Sequence, residues 1–199
     1  MIWIGDYKES VQKCIDSFAQ FHQVYLWTYS LDIKYNNCII KDLNEICKLE
    51  EVHSNLTLTS FKVDWFRLKI LYKYGGWYSD CDNFCINPLD FIEDTIFTYF
   101  TGNFGDLNNS IFKCPKESTI IKDLLDTYTF DEHRAPYLEF SKKCLNQNVT
   151  YLNSNILHFK IKDLQHLDKT ITKVIHMFNV IHDVLNYRNF ERINTKLNE

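Results

Sequence analysis

Two aspartates one residue apart, Asp80 and Asp82, follow the glycine pair Gly75-Gly76 and the short run Trp77–Ser79. Carboxylates at that spacing can serve a common hard cation. Mg²⁺ or Mn²⁺ takes carboxylate and phosphate oxygens and keeps positions open for a substrate. A cation held there would neutralise a departing diphosphate as a Lewis acid. Upstream, Asp64 and Arg67 have the spacing of neighbours on one helix face. A carboxylate accepts hydrogen bonds from sugar hydroxyls, and a guanidinium donates to hydroxyls or phosphate oxygens. Taken singly, each feature also has a plain structural reading. Asp80–Asp82 reads equally as a solvated acidic turn, and Asp64–Arg67 as an intrahelical ion pair.

The elements that must position these groups follow from hydrophobic periodicity and turn chemistry. Met1–Gly5 reads as a buried strand and turn. Residues 9–20 carry Val11, Cys14, Ile15 and Phe18 at helical spacing. Val24–Tyr29 is the next strand. A turn follows at Asn36-Asn37, with Cys38–Ile40 extended and Asp42 capping a helix over 43–51. Ser60 is the expected N-cap of a long helix over 61–74, ended by Gly75 or Gly76 in the left-handed conformation. Trp77–Ser79 then leads to Asp80 and Asp82. In open α/β sheets ligands collect beyond the carboxyl ends of strands, where both acids lie.

Further along, strands are expected at 95–100 and Ser110–Cys114, and a loop at Gly102–Asn109. A helix is expected over 116–128, a loop at His133–Pro136, and a helix to Asn146. Strands follow at Tyr151–Leu157 and Thr172–Phe178, and a last helix over 180–196. Strand–helix–strand alternation indicates an α/β domain with a largely parallel sheet.

A chain of 199 residues with 45% hydrophobic and 16% aromatic content is long enough for one sizeable core and too apolar for disorder. A formal charge of −4 supplies no general attraction to nucleic acid or anionic membrane. No apolar run reaches the roughly 18–20 residues that span a bilayer, and MIWIGDYKES lacks the pattern of a signal peptide. The seven cysteines are an odd, scattered set, read as reduced thiols in a soluble, cytoplasmic protein. Cys81 and Cys85 lack the second pair or histidine that a zinc site needs.

The block D-W-F-R-L-K-I-L-Y-K-Y-G-G-W-Y-S-D-C-D resembles the D-x-x-R…L-x-x-x-G-G-x-Y-x-D-x-D block of the DXD sugar-binding glycosyltransferases. That group includes the yeast-type outer-chain mannosyltransferases, capsular polysaccharide transferases and, more distantly, the large clostridial glucosylating toxins. Asp64, Arg67, Gly75, Gly76, Tyr78, Asp80 and Asp82 stay in register with it. The resemblance implies one GT-A-type nucleotide-sugar-binding domain over residues 1–199, with a mostly parallel central sheet flanked by helices.

Weaker similarities extend it. Ile2-Trp3-Ile4-Gly5 resembles the family's opening W-I-G strand, in which the Trp3 ring would stack on the nucleotide base; as a residue alone, Trp3 is equally a core side chain. Asn109 resembles an asparagine placed near the donor sugar, with Asn108 as the competing register. His133–Pro136 stands where many members have T-G-P, a departure on the acceptor side. Val174–Asn179 resembles a C-terminal H-[apolar]-W-N segment. That makes His176 a candidate metal ligand, although on the residues alone it is a histidine in a partly buried strand.

The implied activity is metal-dependent transfer of a sugar from a UDP- or GDP-sugar to a glycan, glycoprotein or other hydroxyl acceptor, with retention of configuration. Asp64, Arg67, Asp80 and Asp82 would be catalytic. Trp3, Asp64, Arg67, Asp80 and Asn109 would hold substrate. Asp82, Asp80 and His176 would hold Mn²⁺ or Mg²⁺. Two other readings stay open: a catalytically silent nucleotide-sugar or carbohydrate-binding module, and a metal-dependent phosphohydrolase or nucleotidyltransferase.

Overall fold

A computed structural model describes residues 1–48, 59–99, 107–127, 144, 149–157, 159–177 and 183–199. Helix α1, Glu9–Ala19, forms where Val11, Cys14, Ile15 and Phe18 line one buried face. Strands β1, Tyr25–Thr28, and β2, Ile39–Asp42, pair in parallel. The expected buried strand at Met1–Gly5 is reduced to one parallel bridge between Ile2 and Trp27, with the Trp3 N–H donating to the Trp27 carbonyl at 3.0 Å and the Trp27 N–H to the Met1 carbonyl at 3.0 Å. Asp42 caps as expected, its carboxylate accepting from the Asn44 N–H at 2.8 Å. It caps a single 3₁₀ turn, Leu43–Glu45, rather than a helix over 43–51. Leu43 and Cys47 bury one turn's worth of apolar surface, and Lys48 breaks the pattern after them. One turn cannot offset the cost of nucleating a longer helix.

Helix α2 spans Thr59–Tyr74. Ser60 is the second residue of the helix and not its N-cap, because the helix begins two residues earlier than expected. The stripe Arg67 and Leu71 continues from Asp64 along one side and is buried at both positions. The helix packs on β3, β6 and α3. It ends at Gly75, whose φ of 70° is left-handed and whose N–H bonds the Leu71 carbonyl at 2.8 Å. Strand β3, Gly76–Ser79, leads into the Asp80–Asp82 turn, and β4, Asn83–Cys85, leaves it.

Strands β5, Ile96–Tyr99, and β6, Leu107–Cys114, follow, then α3, Thr119–Thr127, and β7, Thr150–Leu152. Helix α4, Ser154–Leu157, occupies residues expected to extend the preceding strand. Strand β8, Phe159–Lys160, a 3₁₀ segment Ile161–His166, strand β9, Val174–His176, and helix α5, Asp183–Asn198, complete the order. Strand β6 begins earlier than the expected Ser110. Asn108 and Asn109 lie inside it because side-chain partners replace the turn that such residues otherwise favour. Asn108 Oδ1 accepts from the Ser110 N–H at 2.6 Å, and Asn109 Nδ2 donates to Asp64 at 3.0 Å. The expected loop at His133–Pro136, the helix to Asn146 except Cys144, and Phe178-Asn179 lie outside the described residues.

The α/β class holds, but the sheets are mixed rather than mostly parallel. The central sheet has the order β3-β6-β5-β7, antiparallel except between β5 and β7. A second sheet, β4-β9-β8, is antiparallel between β4 and β9 and parallel between β8 and β9. The segment 100–106 between β5 and β6 is shorter than the helical crossover that parallel neighbours need, so the two run antiparallel. The main core lies between α2, α3 and the central sheet around Phe66, Leu71, Phe97 and Phe112, all fully buried.

Gly75 admits a direct test. A Cβ added there would stand 2.5 Å from the Lys116 backbone nitrogen, whereas one added at Gly76, with φ of 91°, would meet nothing within 4 Å. Gly75→Ala therefore combines left-handed strain with a backbone clash, and Gly76→Ala has the strain alone. We expect the first to lose about 3 kcal/mol and the second about 1–2 kcal/mol. Urea midpoints at unchanged slope would read both.

Candidate functional site

Helix α2 and strands β3 and β6 bring Asp64, Arg67, Asp80 and Asn109 together around one guanidinium. Arg67 Nη2 donates to Asp64 Oδ1 at 2.8 Å and lies 3.2 Å from Asp80 Oδ1. Its Nη1 donates to the Asn109 carbonyl. The guanidinium carbon sits 4.6 Å from the centroid of the Tyr78 ring, a cation–π geometry. Asn109 Nδ2 closes the circuit on Asp64 Oδ1. Alternation along β6 turns Asn109 towards Asp64 and buries Asn108, so Asn109 is the asparagine in register with the site.

The Arg67 side chain is 6% exposed, against 15% for Asp64 and 25% for Asp80. The cation is therefore more deeply buried than the two carboxylates it pairs with. Burial pushes the Asp80 carboxyl up to about 6, with Arg67 opposing the shift and Asp82 adding to it. Burial also raises Asp64, against the pull of Arg67 and the hydrogen bond from Asn109. At neutral pH Asp80 remains mostly ionised. Removing Arg67's charge would work against both carboxylates in the same direction.

Tyr78 carries a role that the sequence reading left unassigned. Its Oη donates to Asp80 Oδ1 at 2.6 Å, and burial lifts the phenol well above its usual range, so it stays a donor. The signal was present: residues two apart on a strand share a face, which put Tyr78 beside Asp80.

Asp82 stands at the other end of the turn, among different partners. Strand β4 pairs with β9 so that Asn83 is opposite His176, and the Met177 N–H donates to the Asp82 carbonyl at 2.9 Å. His176 Nε2 comes within 3.2 Å of Asp82 Oδ2. Asp82 Oδ1 is buried with no hydrogen-bond partner among the described residues. An unsatisfied carboxylate oxygen is costly inside a protein, and a divalent cation is a group that would satisfy it. Asp82 and His176 offer a carboxylate and an imidazole, donors that suit a divalent first-row cation. Among the described residues no three His, Cys, Asp or Glu side chains converge as a ready-made cage. The remaining ligands of such an ion would come from substrate and water.

Trp3 is placed less directly. Its Nε1 donates to the Asp6 carbonyl at 2.8 Å and its ring lies against Gly5. The Cys81 thiol donates to the Ile2 carbonyl at 3.2 Å, which sets the opening segment beside the acidic turn. The structure thus joins Asp64, Arg67, Asp80 and Asn109 in one network and His176 with Asp82 in another, with Trp3 alongside. All seven cysteines are free thiols, and no described helix is long and apolar enough to cross a membrane.

Residues 6–99 match the family model described as the glycosyltransferase sugar-binding region containing a DXD motif. No curated protein matches the chain in sequence. Among solved structures, the PaToxG glycosyltransferase is 15% identical with a TM-score of 0.53, over 100% of this chain and 76% of that one. A glycosyltransferase involved in glycosylation of the major capsid of PBCV-1 is 10% identical with a TM-score of 0.52, over 100% of this chain and 98% of that one. At these identities the likeness is one of fold, and the fold is of the GT-A type.

Proposed function

We propose that this chain, which resembles the DXD sugar-binding glycosyltransferases in sequence and shares their fold, transfers a sugar from a nucleotide-diphosphate-sugar to a hydroxyl acceptor with the help of a divalent cation. The observation that carries the proposal is the contrast at the acidic turn. Asp80 is compensated by Arg67 and Tyr78, whereas Asp82 keeps a buried oxygen without a partner among the described residues. Asp82 is the acid placed to take the cation directly, and Asp80 serves substrate as well as the ion.

Asp82, with His176 and Asp80 beside it, would hold Mn²⁺ or Mg²⁺. Bound there, the ion would supply Lewis-acid stabilisation of the leaving diphosphate. The chain's own residues do the rest. Arg67 draws Asp64 and Asp80 to one nitrogen and opposes their protonation, so both accept from hydroxyls of the donor. Tyr78 occupies one oxygen of Asp80 and so aims the other at ribose or sugar. Asn109 holds Asp64 by a hydrogen bond to Oδ1, and Trp3 offers its ring to the base. Asp64 and Asp80 are both ion-paired with Arg67. The resemblance to a family that retains configuration supports same-face displacement: the acceptor oxygen bonds the anomeric carbon on the face from which the diphosphate oxygen departs. Its proton passes to that diphosphate oxygen, and configuration is retained. The whole of residues 1–199 serves as one catalytic domain, working in a reducing, cytoplasmic compartment.

The test is a panel of UDP- and GDP-sugars with Mn²⁺ or Mg²⁺, read by thermal stabilisation and by product. Binding of the right donor raises the melting temperature by mass action. Release of nucleoside diphosphate, lost on adding a chelator, is the expected result. Release of inorganic phosphate would point to a phosphohydrolase, and tight binding without turnover to a silent module.

A further inference from the structure

Asn83 follows Asp82 directly and is fully buried. A polar side chain in such a place is ordinarily hydrogen-bonded. Its Nδ2 donates to two oxygens on different strands: the Ser79 hydroxyl at 3.1 Å, at the end of β3, and the Ser110 carbonyl at 3.0 Å, within β6. Its Oδ1 has no hydrogen-bond partner among the described residues. The position therefore uses the two amide protons and makes no use of the acceptor.

These bonds enclose the acidic turn. The Asn83 N–H donates to the Asp80 carbonyl at 3.3 Å, and the Asp80 N–H donates to the Ser110 carbonyl at 2.7 Å. The Ser79 hydroxyl also donates to the Asp80 carbonyl, at 3.2 Å. The Ser110 carbonyl thus receives one bond from each end of the turn, and the Asn83 side chain reaches from its far end back to Ser79 before its start. On the other side Asn83 is opposite His176. None of these bonds involves a carboxylate oxygen, so they act on the two acids only through the backbone.

We propose that Asn83 is a positioning residue of this site: its amide joins both ends of the Asp80–Asp82 turn and sets the spacing at which the two carboxylates meet a cation. This rests on reading the turn as a divalent-cation site. The reason is geometric. Asp80 follows β3 and is anchored to Arg67 on α2, and Asp82 precedes β4 and is anchored to His176 on β9, so the two acids sit at the ends of strands from different sheets. The turn is their direct backbone connection, and Asn83 is the side chain that ties it to β3 and β6 together. Small errors in ligand placement are felt strongly in metal binding, and residues behind the ligands cost about 10- to 100-fold in affinity when removed.

Manganese binding to the full chain provides the test, measured by the EPR signal of free Mn²⁺ during titration with MnCl₂, alone and with UDP or GDP. Asn83→Asp keeps the shape but replaces the two-proton donor with oxygen. We expect it and Asn83→Ala to weaken Mn²⁺ binding by about 10-fold or more. Ser79→Ala, which removes one of the two acceptors, should weaken it less and in the same direction. Circular dichroism establishes that each variant is folded. A merely structural residue would lower the melting temperature and leave the Mn²⁺ affinity of the folded protein unchanged; that result overturns the assignment. So does an unfolded Asn83→Ala beside Asn83→Asp and Ser79→Ala that bind as the wild type does. Failure of the wild type to take up Mn²⁺ overturns the cation reading itself, and this assignment with it.

Discussion

Asp82→Asn is expected to remove cation-dependent turnover while leaving the fold in place. The amide matches the carboxylate in shape. The contact it most directly alters is with His176 Nε2, 3.2 Å from Asp82 Oδ2, and that contact can persist as a neutral hydrogen bond. Stability should therefore stay within about 1 kcal/mol of the parent. The loss falls on charge. An amide is a far weaker ligand for a hard cation, and the stabilisation that such an ion supplies is several kcal/mol. With each 1.36 kcal/mol a factor of ten, release of nucleoside diphosphate should fall by about 100- to 1000-fold. The melting shift produced by Mn²⁺ and donor should disappear with it. His176→Ala should act in the same direction but less, since the imidazole is a supporting neighbour. Normal turnover by Asp82→Asn with metal present would remove Asp82 from the mechanism.

Replacing Arg67 by methionine should damage the fold and the activity together, and the damage should grow as pH rises. The methionine fills much of the volume but leaves Asp64 and Asp80 without the cation they share at 2.8 and 3.2 Å. Removing one partner of a buried pair costs about 3–5 kcal/mol. The carboxylates here are partly open, so about 3 kcal/mol at neutral pH is the better figure. In a chain of this size that is about 6–12 °C in melting temperature.

The direction with pH follows from the carboxyls themselves. Both already sit above their ordinary range in the folded protein, Asp80 at about 6, and losing Arg67 raises them further. A carboxyl with a raised folded pKa binds its proton more tightly folded than unfolded. Protonation then favours the fold at low pH, and ionisation opposes it as pH climbs from the unfolded value through the folded one. The deficit of Arg67→Met should accordingly be small near pH 4 and largest above pH 7, measured by urea unfolding at each pH. A deficit independent of pH would mean that Arg67 acts through packing on Tyr78 and not through its charge.

Much of the site was readable before any coordinates, because it is built from local spacing. Asp64 and Arg67 share a helix face by the 3.6-residue repeat. Gly75 ends that helix because the next residue must turn left-handed, and Asp80 and Asp82 follow a strand too short to mislead. Elements failed where local chemistry was overruled. Asn108 and Asn109 suggested a loop, yet Ser110 and Asp64 supply the partners that let them stand in β6. Residues 43–51 suggested a helix, yet among the described residues of that run only Leu43 and Cys47 are buried apolar side chains, enough for one turn. The mixed sheets escaped notice because alternation of elements says nothing about strand direction when short connections are available.

What the sequence by itself determined is the identity and order of the chemical groups around Asp80-Cys81-Asp82, since periodicity and turn residues are properties of neighbours along the chain. Only the tertiary structure decided how those groups are partnered. It gave Arg67 to both Asp64 and Asp80, chose Asn109 over Asn108, brought His176 to Asp82 and set Asn83 behind the turn. These are contacts between residues distant in sequence, made by the packing of α2 on the central sheet and of β4 on β9. Such packing depends on which surfaces fit together in space, and no spacing within a single segment encodes that choice.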